Sequence, residues 1–239
     1  MNYNWNWGIL FEEPYFDWLL SGLMWTLLVA GAAWVIAFVL GSLVGILRTL
    51  DNPVARALGA IYVEVFRGVP LLVQLFLWYF VVPELVPESL GMWMKRDMPN
   101  PEYTTAVICL GTYTAARVAE QVRSGINTLS RDLVHAGLAI GLTPLQNYLH
   151  VRLPIAYRII IPPLTSEFLT TFKNSSLALT IGVLELTAQS RQIENYTFQG
   201  FEAFTAATVL YLVITLAIVA IMRWVDSRTR MTGSLGGNT

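Results

Sequence analysis

The chain has 239 residues, 55% of them hydrophobic and only 13% charged, with a mean hydropathy of +0.54 and a formal net charge of −1. Soluble domains carry about 25% charged residues, so this composition selects the bilayer, and the near-neutral charge excludes a nucleic-acid-binding face. A single cysteine, Cys109, excludes an intrachain disulfide and a cysteine-built metal site.

Residues 1–20 contain Glu12, Glu13 and Asp17 but no Lys or Arg. A cleaved leader needs a positive first region, so the first apolar run is expected to remain as a span, with this segment on its periplasmic side. That run, residues 18–47, is free of charge and long enough to cross ~30 Å of hydrocarbon. Within it Ala33, Ala37, Gly41 and Gly45 recur every fourth residue, which predicts a face for close helix packing. A second span is expected over 57–83, with Glu64 and Arg67 near the membrane edge. A third starts near Tyr103 and runs into Arg117, Glu120 and Arg123. The fourth, 159–188, is interrupted by Glu167 and Lys173, and the fifth covers 203–222. The expectation is an all-α membrane protein of five spans: a transmembrane region over 21–225, a folded connection at 128–158 and a tail at 226–239.

Lys and Arg collect in cytoplasmic connections. Arg48 and Arg56 follow the first span, Arg123, Arg131, Arg152 and Arg158 lie in or beside the long connection, and Arg223, Arg228 and Arg230 are in the tail. The N-terminus is therefore expected outside and the C-terminus in the cytoplasm.

The long connection reads HAGLAIGLTPLQNYLHVRLP over residues 135–154. Ser130 is placed to cap a first short helix and Gly141 to end it in the left-handed conformation. Thr143 caps a second, with Pro144 at its first position and Gln146 completing a capping box. Pro154 is expected to mark the far end. A polar, folded, cytoplasmic segment in so apolar a chain is suited to docking.

These residues resemble the cytoplasmic signature of ABC importer permeases, Glu-Ala-Ala, three residues, Gly, nine residues, Ile-x-Leu-Pro. Here His135, Ala136 and Gly137 occupy the first three positions, Gly141 the glycine, and Val151, Arg152, Leu153 and Pro154 the last four. The segment Val65-Phe66-Arg67-Gly68-Val69-Pro70-Leu71-Leu72-Val73-Gln74 resembles an element of the polar-amino-acid permeases. So do Glu-x-x-Arg-x-Gly-Ile at 120–126 and Lys173-Asn174-Ser175-Ser176-Leu177. Asn4-Trp5-Asn6-Trp7-Gly8 and Tyr113-Thr114-Ala115-Ala116-Arg117-Val118 are most similar to glutamate/aspartate importer permeases. The resemblance implies a bacterial inner-membrane permease subunit with cytoplasmic ABC ATPases, a second identical or homologous permease and an extracellular or periplasmic amino-acid-binding protein as partners. It implies no cofactor, and the residues facing the ATPase would be His135, Ala136, Gly137, Gly141, Val151, Leu153 and Pro154.

The sequence offers no phosphate-binding Gly-x-x-x-x-Gly-Lys-Ser/Thr loop, and its only lysines are Lys95 and Lys173, so hydrolysis is expected in a partner and this chain is not expected to be an enzyme. His135 and His150 read as solvated loop residues. Ionisable groups inside a span face a cavity or a partner. Arg117 and Glu120 share a helix face and are candidates to pair, as are Glu120 and Arg123. Relatives often have tyrosine where Arg117 stands and an acid where Asn174 stands, so the exchange suits an anionic substrate. Arg117, Glu120, Lys173, Asn174 and Ser175 are the candidate substrate residues, although buried serines more often bond their own helix. The competing readings are an ion-coupled carrier using Glu120 or Glu167 as a proton relay, a permease for another polar amino acid such as glutamine, and a passive scaffold.

Overall fold

The computed structural model describes residues 3–229; the expected tail falls largely outside them. Among the described residues the chain is helical and has no strand. A 3₁₀ turn (Trp7–Phe11) leads into α1 (Tyr15–Leu47). There follow α2 (Pro53–Gly68), α3 (Leu71–Phe76), α4 (Val82–Leu85), α5 (Glu88–Met92), α6 (Pro101–Asn127), α7 (Arg131–Ala139), α8 (Pro144–Asn147), α9 (Leu153–Asn174), α10 (Leu186–Thr197) and α11 (Gly200–Thr229).

The centre is the parallel packing of α1 on α6, the most extensive contact between any two elements, with Trp25 beside Tyr103 near one end and Gly45 against Ala119 and Val122 near the other. The small-residue stripe makes it possible. A Cβ on Gly41 would stand 2.6 Å from Val118, and one on Gly45 2.7 Å from the Ala119 carbonyl, while Ala33 and Ala37 are fully buried. The stripe is therefore an intramolecular seam. On its cytoplasm-expected half, Ala37, Val118, Val122, Ala156 and Ile160 form one core; on the other, Val29, Ala106, Leu110 and Ile181 form a second.

Among the described residues, two helices suit a membrane crossing by length and composition, Tyr15–Leu47 and Gly200–Arg228, and a bent pair counts as a third if it forms one crossing. Helices α6 and α9 fall short of that apolarity because they carry Arg117, Glu120 and Arg123, and Arg158, Glu167 and Lys173. The expected span at 57–83 is not one straight helix: Pro53–Gly68 and Leu71–Leu85 meet at 101°. Val69, forced extended before Pro70, makes the corner (φ −105°, ψ 130°). Gln74 then holds it, its Nε2 donating to the carbonyls of Phe66 (2.8 Å) and Val69 (2.9 Å) left open where α2 stops. Because Val63 packs at Ala116 and Ala119, and Leu71 at Ala106 and Leu110, Glu64 and Arg67 stand beside the middle of α6 rather than at its end.

The expected fourth span at 159–188 is also divided. Helix α9 ends at Asn174, a 3₁₀ segment follows (Ser175–Ile181), and Gly182 turns left-handed (φ +98°). Ser175 and Ser176 donate to the carbonyls three residues back, at 2.8 and 2.7 Å, and this competition with the α-ladder tightens the winding.

Candidate functional site

Two clusters of charge and one loop collect the residues singled out by sequence. The first cluster joins α6 to α9. Arg117 donates through Nε to Glu167 Oε2 at 2.6 Å, with Tyr113 close by. The Glu167 side chain is 9% exposed and that of Arg117 39%, so a buried carboxylate anchors a guanidinium whose other face is open. The expected Arg117–Glu120 pair does not form, because Glu120 reaches instead toward the end of α1.

That second cluster has Glu120 at its centre. Oε2 accepts from Arg48 at 2.6 Å, and Oε1 accepts from Arg123 Nε at 3.2 Å and Nη2 at 2.8 Å. Both oxygens are committed, so the Glu120–Arg123 pairing expected from their spacing is present and Arg48 completes it. Neither Glu120 nor Glu167 is an unpaired carboxylate of the kind a proton relay needs.

Lys173 lies in the last turn of α9, exposed and with no ion pair among the described residues, and Asn174, half-buried, ends the helix. Neither side chain bonds Arg117. The Ser175 hydroxyl is buried and bonds its own chain.

The loop is built from local signals. Ser130 Oγ accepts from the Leu133 N–H, and Thr143 and Gln146 exchange both bonds of a capping box. Gly141 adopts φ +92°; its N–H donates to Leu138 O and that of Leu142 to Gly137 O, the paired bonds of a Schellman ending. Two glycines here have different reasons. Gly141 has open space around it and is required by its backbone angle. Gly137 is required by space, since a Cβ would lie 2.5 Å from Asn147 Oδ1. Asn147, buried, donates to Val134 O at 2.8 Å and so ties α8 to α7.

Pro154 does not end the second helix. Pro144 begins a helical run that passes through a π-turn (Tyr148–Arg152) into α9 with Leu153 and Pro154 in its first turn. The wider π-turn accommodates the proline ring and its missing donor. His135 and Ala136 are exposed, Val151 and Leu153 half-buried, and Pro154 exposed; beside them Ile140 (80% exposed) and Leu145 (67%) present apolar side chains to the outside. His150 Nδ1 lies 3.0 Å from the Gln146 carbonyl. The Thr49 and Tyr148 hydroxyls, hydrogen-bonded at 2.5 Å, tie the loop to the bundle, and within the loop Arg152 stacks on the Tyr148 ring.

Sequence reasoning missed Gln74, Asn147 and the Arg117–Glu167 partnership. The first two carry no local pattern. The third was signalled only by four intramembrane charges of opposite sign, with nothing to say which would meet.

An all-helical bundle with long apolar helices, paired internal charges and an exposed helical loop defines a polytopic membrane permease. The chain belongs to the family of binding-protein-dependent transport system inner membrane components, whose model matches residues 37–231. It is 45% identical to the glutamate/aspartate import permease protein GltJ of Escherichia coli K12, over 99% of this chain and all of that protein. It is 31% identical to the glutamine transport system permease protein GlnP of the same strain, over 90% of this chain and 99% of that one. Among solved structures, an amino acid ABC transporter crystallised with histidines superposes with a TM-score of 0.79 at 28% identity, covering 95% of this chain and all of that chain. The methionine transporter MetNI in an inward-facing form shares the fold, with a TM-score of 0.72 at 20% identity over 92% of this chain. Its relatives are transport components, and the chain is a membrane permease.

Proposed function

We propose that this chain is the membrane-spanning permease subunit of an ATP-driven, binding-protein-dependent importer of acidic amino acids, working by alternating access. Arg117 carries the reading. It is an arginine on a bundle helix, anchored on one side by Glu167 and open on the other. A guanidinium so held can offer two parallel hydrogen bonds to a substrate carboxylate. Lys173, exposed and unpaired by any described residue, adds a second positive charge, next to the neutral Asn174. The identity to a glutamate/aspartate import permease supports the same substrate class. Glu120, with both oxygens taken by arginines, holds the helix ends together.

In this reading the transmembrane region, 21–225, crosses a bacterial inner membrane five times, the corner at Gly68, Val69 and Pro70 lying within the second crossing. Residues 1–20 lie in the periplasm and the 226–239 tail in the cytoplasm. ATPase subunits grip the 128–158 loop through His135, Ala136, Gly137, Gly141, Val151, Leu153 and Pro154, with Ile140 and Leu145 as apolar contacts. A second permease, identical or homologous, completes the path, and a binding protein delivers substrate.

The test is substrate binding to the purified membrane complex without the binding protein. Arg117→Gln should weaken glutamate binding roughly ten- to hundred-fold, the loss of a charge-assisted hydrogen bond of about 1.5–3 kcal/mol. Arg117→Lys should recover part of it. Unchanged binding in Arg117→Gln would reduce the arginine to a structural partner of Glu167.

A further inference from the structure

The aromatic N-terminal segment has no place in the transport reading, yet the structure pins it at the end of the molecule where α1 and α11 begin. Glu202, fully buried in the first turn of α11, accepts from the Tyr3 hydroxyl and from the Asn6 N–H at 2.8 Å. Tyr3 and Trp5 pack on Phe201 with ring centres 4.8 and 5.6 Å away. This encloses one side of a cavity of about 490 Å³, whose walls include Tyr3, Glu194, Phe198, Phe201 and Phe204.

Its chemistry points one way. Aromatic faces and one carboxylate converge, and no Lys or Arg lines the cavity. The Glu194 carboxylate, half-buried, has no hydrogen bond or ion pair among the described residues. It lies across Gly200, where a Cβ would come within 3.1 Å of Oε1, so the glycine keeps room beside it. An anionic group among ring faces suits an ammonium.

A second cavity of about 300 Å³ adjoins the first, the two sharing Thr205. Apart from that threonine it is lined only by apolar groups from both helices and the 3₁₀ turn, among them Phe11, Phe16, Leu19 and Val209. It lies along the first turns of α11, a helix long and apolar enough to cross a membrane, which exposes Val209, Leu212 and Val213. An ammonium site at the end of an exposed apolar helix, continued by an apolar groove, fits the shape of an amphiphile.

We infer that these joined cavities hold a phospholipid with an ammonium headgroup, its head against Glu194 and the Phe198 and Phe201 rings and an acyl chain in the groove between α1 and α11. The site is separate from Arg117 and the loop.

Native mass spectrometry of the full chain, purified with its partner subunits and stripped of lipid, tests this by titration with dioleoyl phosphatidylethanolamine and dioleoyl phosphatidylglycerol. The ethanolamine lipid should bind in preference. Glu194→Gln should weaken it roughly tenfold and leave the glycerol lipid unchanged, the loss of one charge-assisted contact. Thr205→Trp, a bulky side chain at an exposed position, should block the junction and lower ethanolamine-lipid binding without loss of assembly. Equal binding of the two lipids, or unaltered binding in both variants, overturns the site. Competition by water-soluble phosphoethanolamine as strong as by the lipid would assign it to a free amine. Weakened capture of the binding protein by Glu194→Gln, with lipid adducts intact, would make the surface a protein-docking one.

Discussion

Helix α6 carries two arginine–carboxylate clusters less than one turn apart, and they are built differently. At Glu120 one carboxylate is saturated by two arginines, and Arg48 is only 13% exposed. At Arg117 a single hydrogen bond through Nε reaches a nearly buried Glu167, while 39% of the arginine remains open. The first arrangement engages both carboxylate oxygens and locks α1 to α6 beside the Thr49–Tyr148 contact to the loop. The second holds its cation in place and leaves it able to bind. Identical residue types thus serve cohesion in one cluster and, in the function proposed, recognition in the other, and the difference is the degree of saturation.

The largest expected effect comes from reversing the saturated centre. Glu120→Lys would set a third cation beside Arg48 and Arg123 and remove the only carboxylate between them. Glu120 is 29% exposed, so losing this part-buried pair should cost between the ~0–1 kcal/mol of an exposed pair and the ~3–5 kcal/mol of a buried one, before any added repulsion, and the variant should accumulate poorly in the membrane by immunoblot. Normal accumulation would show that this cluster is not the cohesive one.

The open cluster should respond less and asymmetrically. Arg117→Gln strands the buried Glu167 charge and should cost about 2–4 kcal/mol, whereas Glu167→Gln leaves an arginine that already reaches solvent and should cost about half as much. Thermal unfolding of the purified protein in detergent should rank them in that order. The double variant should recover the melting temperature and not substrate binding. Recovery of both together would erase the distinction between the two clusters.

The smallest effect is expected at Arg123→Gln. Its side chain is 38% exposed and its partner is three residues away on the same helix, a geometry worth about 0–1 kcal/mol. Arg48 still holds Glu120, so the melting temperature should hardly move. A loss as large as that of Arg117→Gln would mean that the two arginines on Glu120 are strongly cooperative rather than redundant.

What the sequence by itself determined lies within a few residues along the chain. The caps by Ser130, Thr143 and Gln146, the left-handed Gly141, the Glu120–Arg123 contact and the α1 packing stripe depend on neighbours or on helical period. Composition likewise marked the apolar helices, and the loop motif marked the family. Where readings failed, the deciding partner was distant. Pro154 looked like a stop because its effect on the preceding residue is local, but a π-turn, stabilised where Tyr148 meets Thr49 of another segment, carries the helix through. Arg117 had Glu120 within reach on its own helix, yet pairs with Glu167 fifty residues away, because Glu120 is claimed by Arg48 across the α1–α6 seam. Gln74 turns the second apolar run through a corner by satisfying carbonyls that a hydropathy pattern does not register. Helical period and capping are properties of a single strand of chain. Charge partners, corners and cavity walls exist only once the helices have packed, because buried polar groups take whichever partner the packed structure brings within about 3 Å.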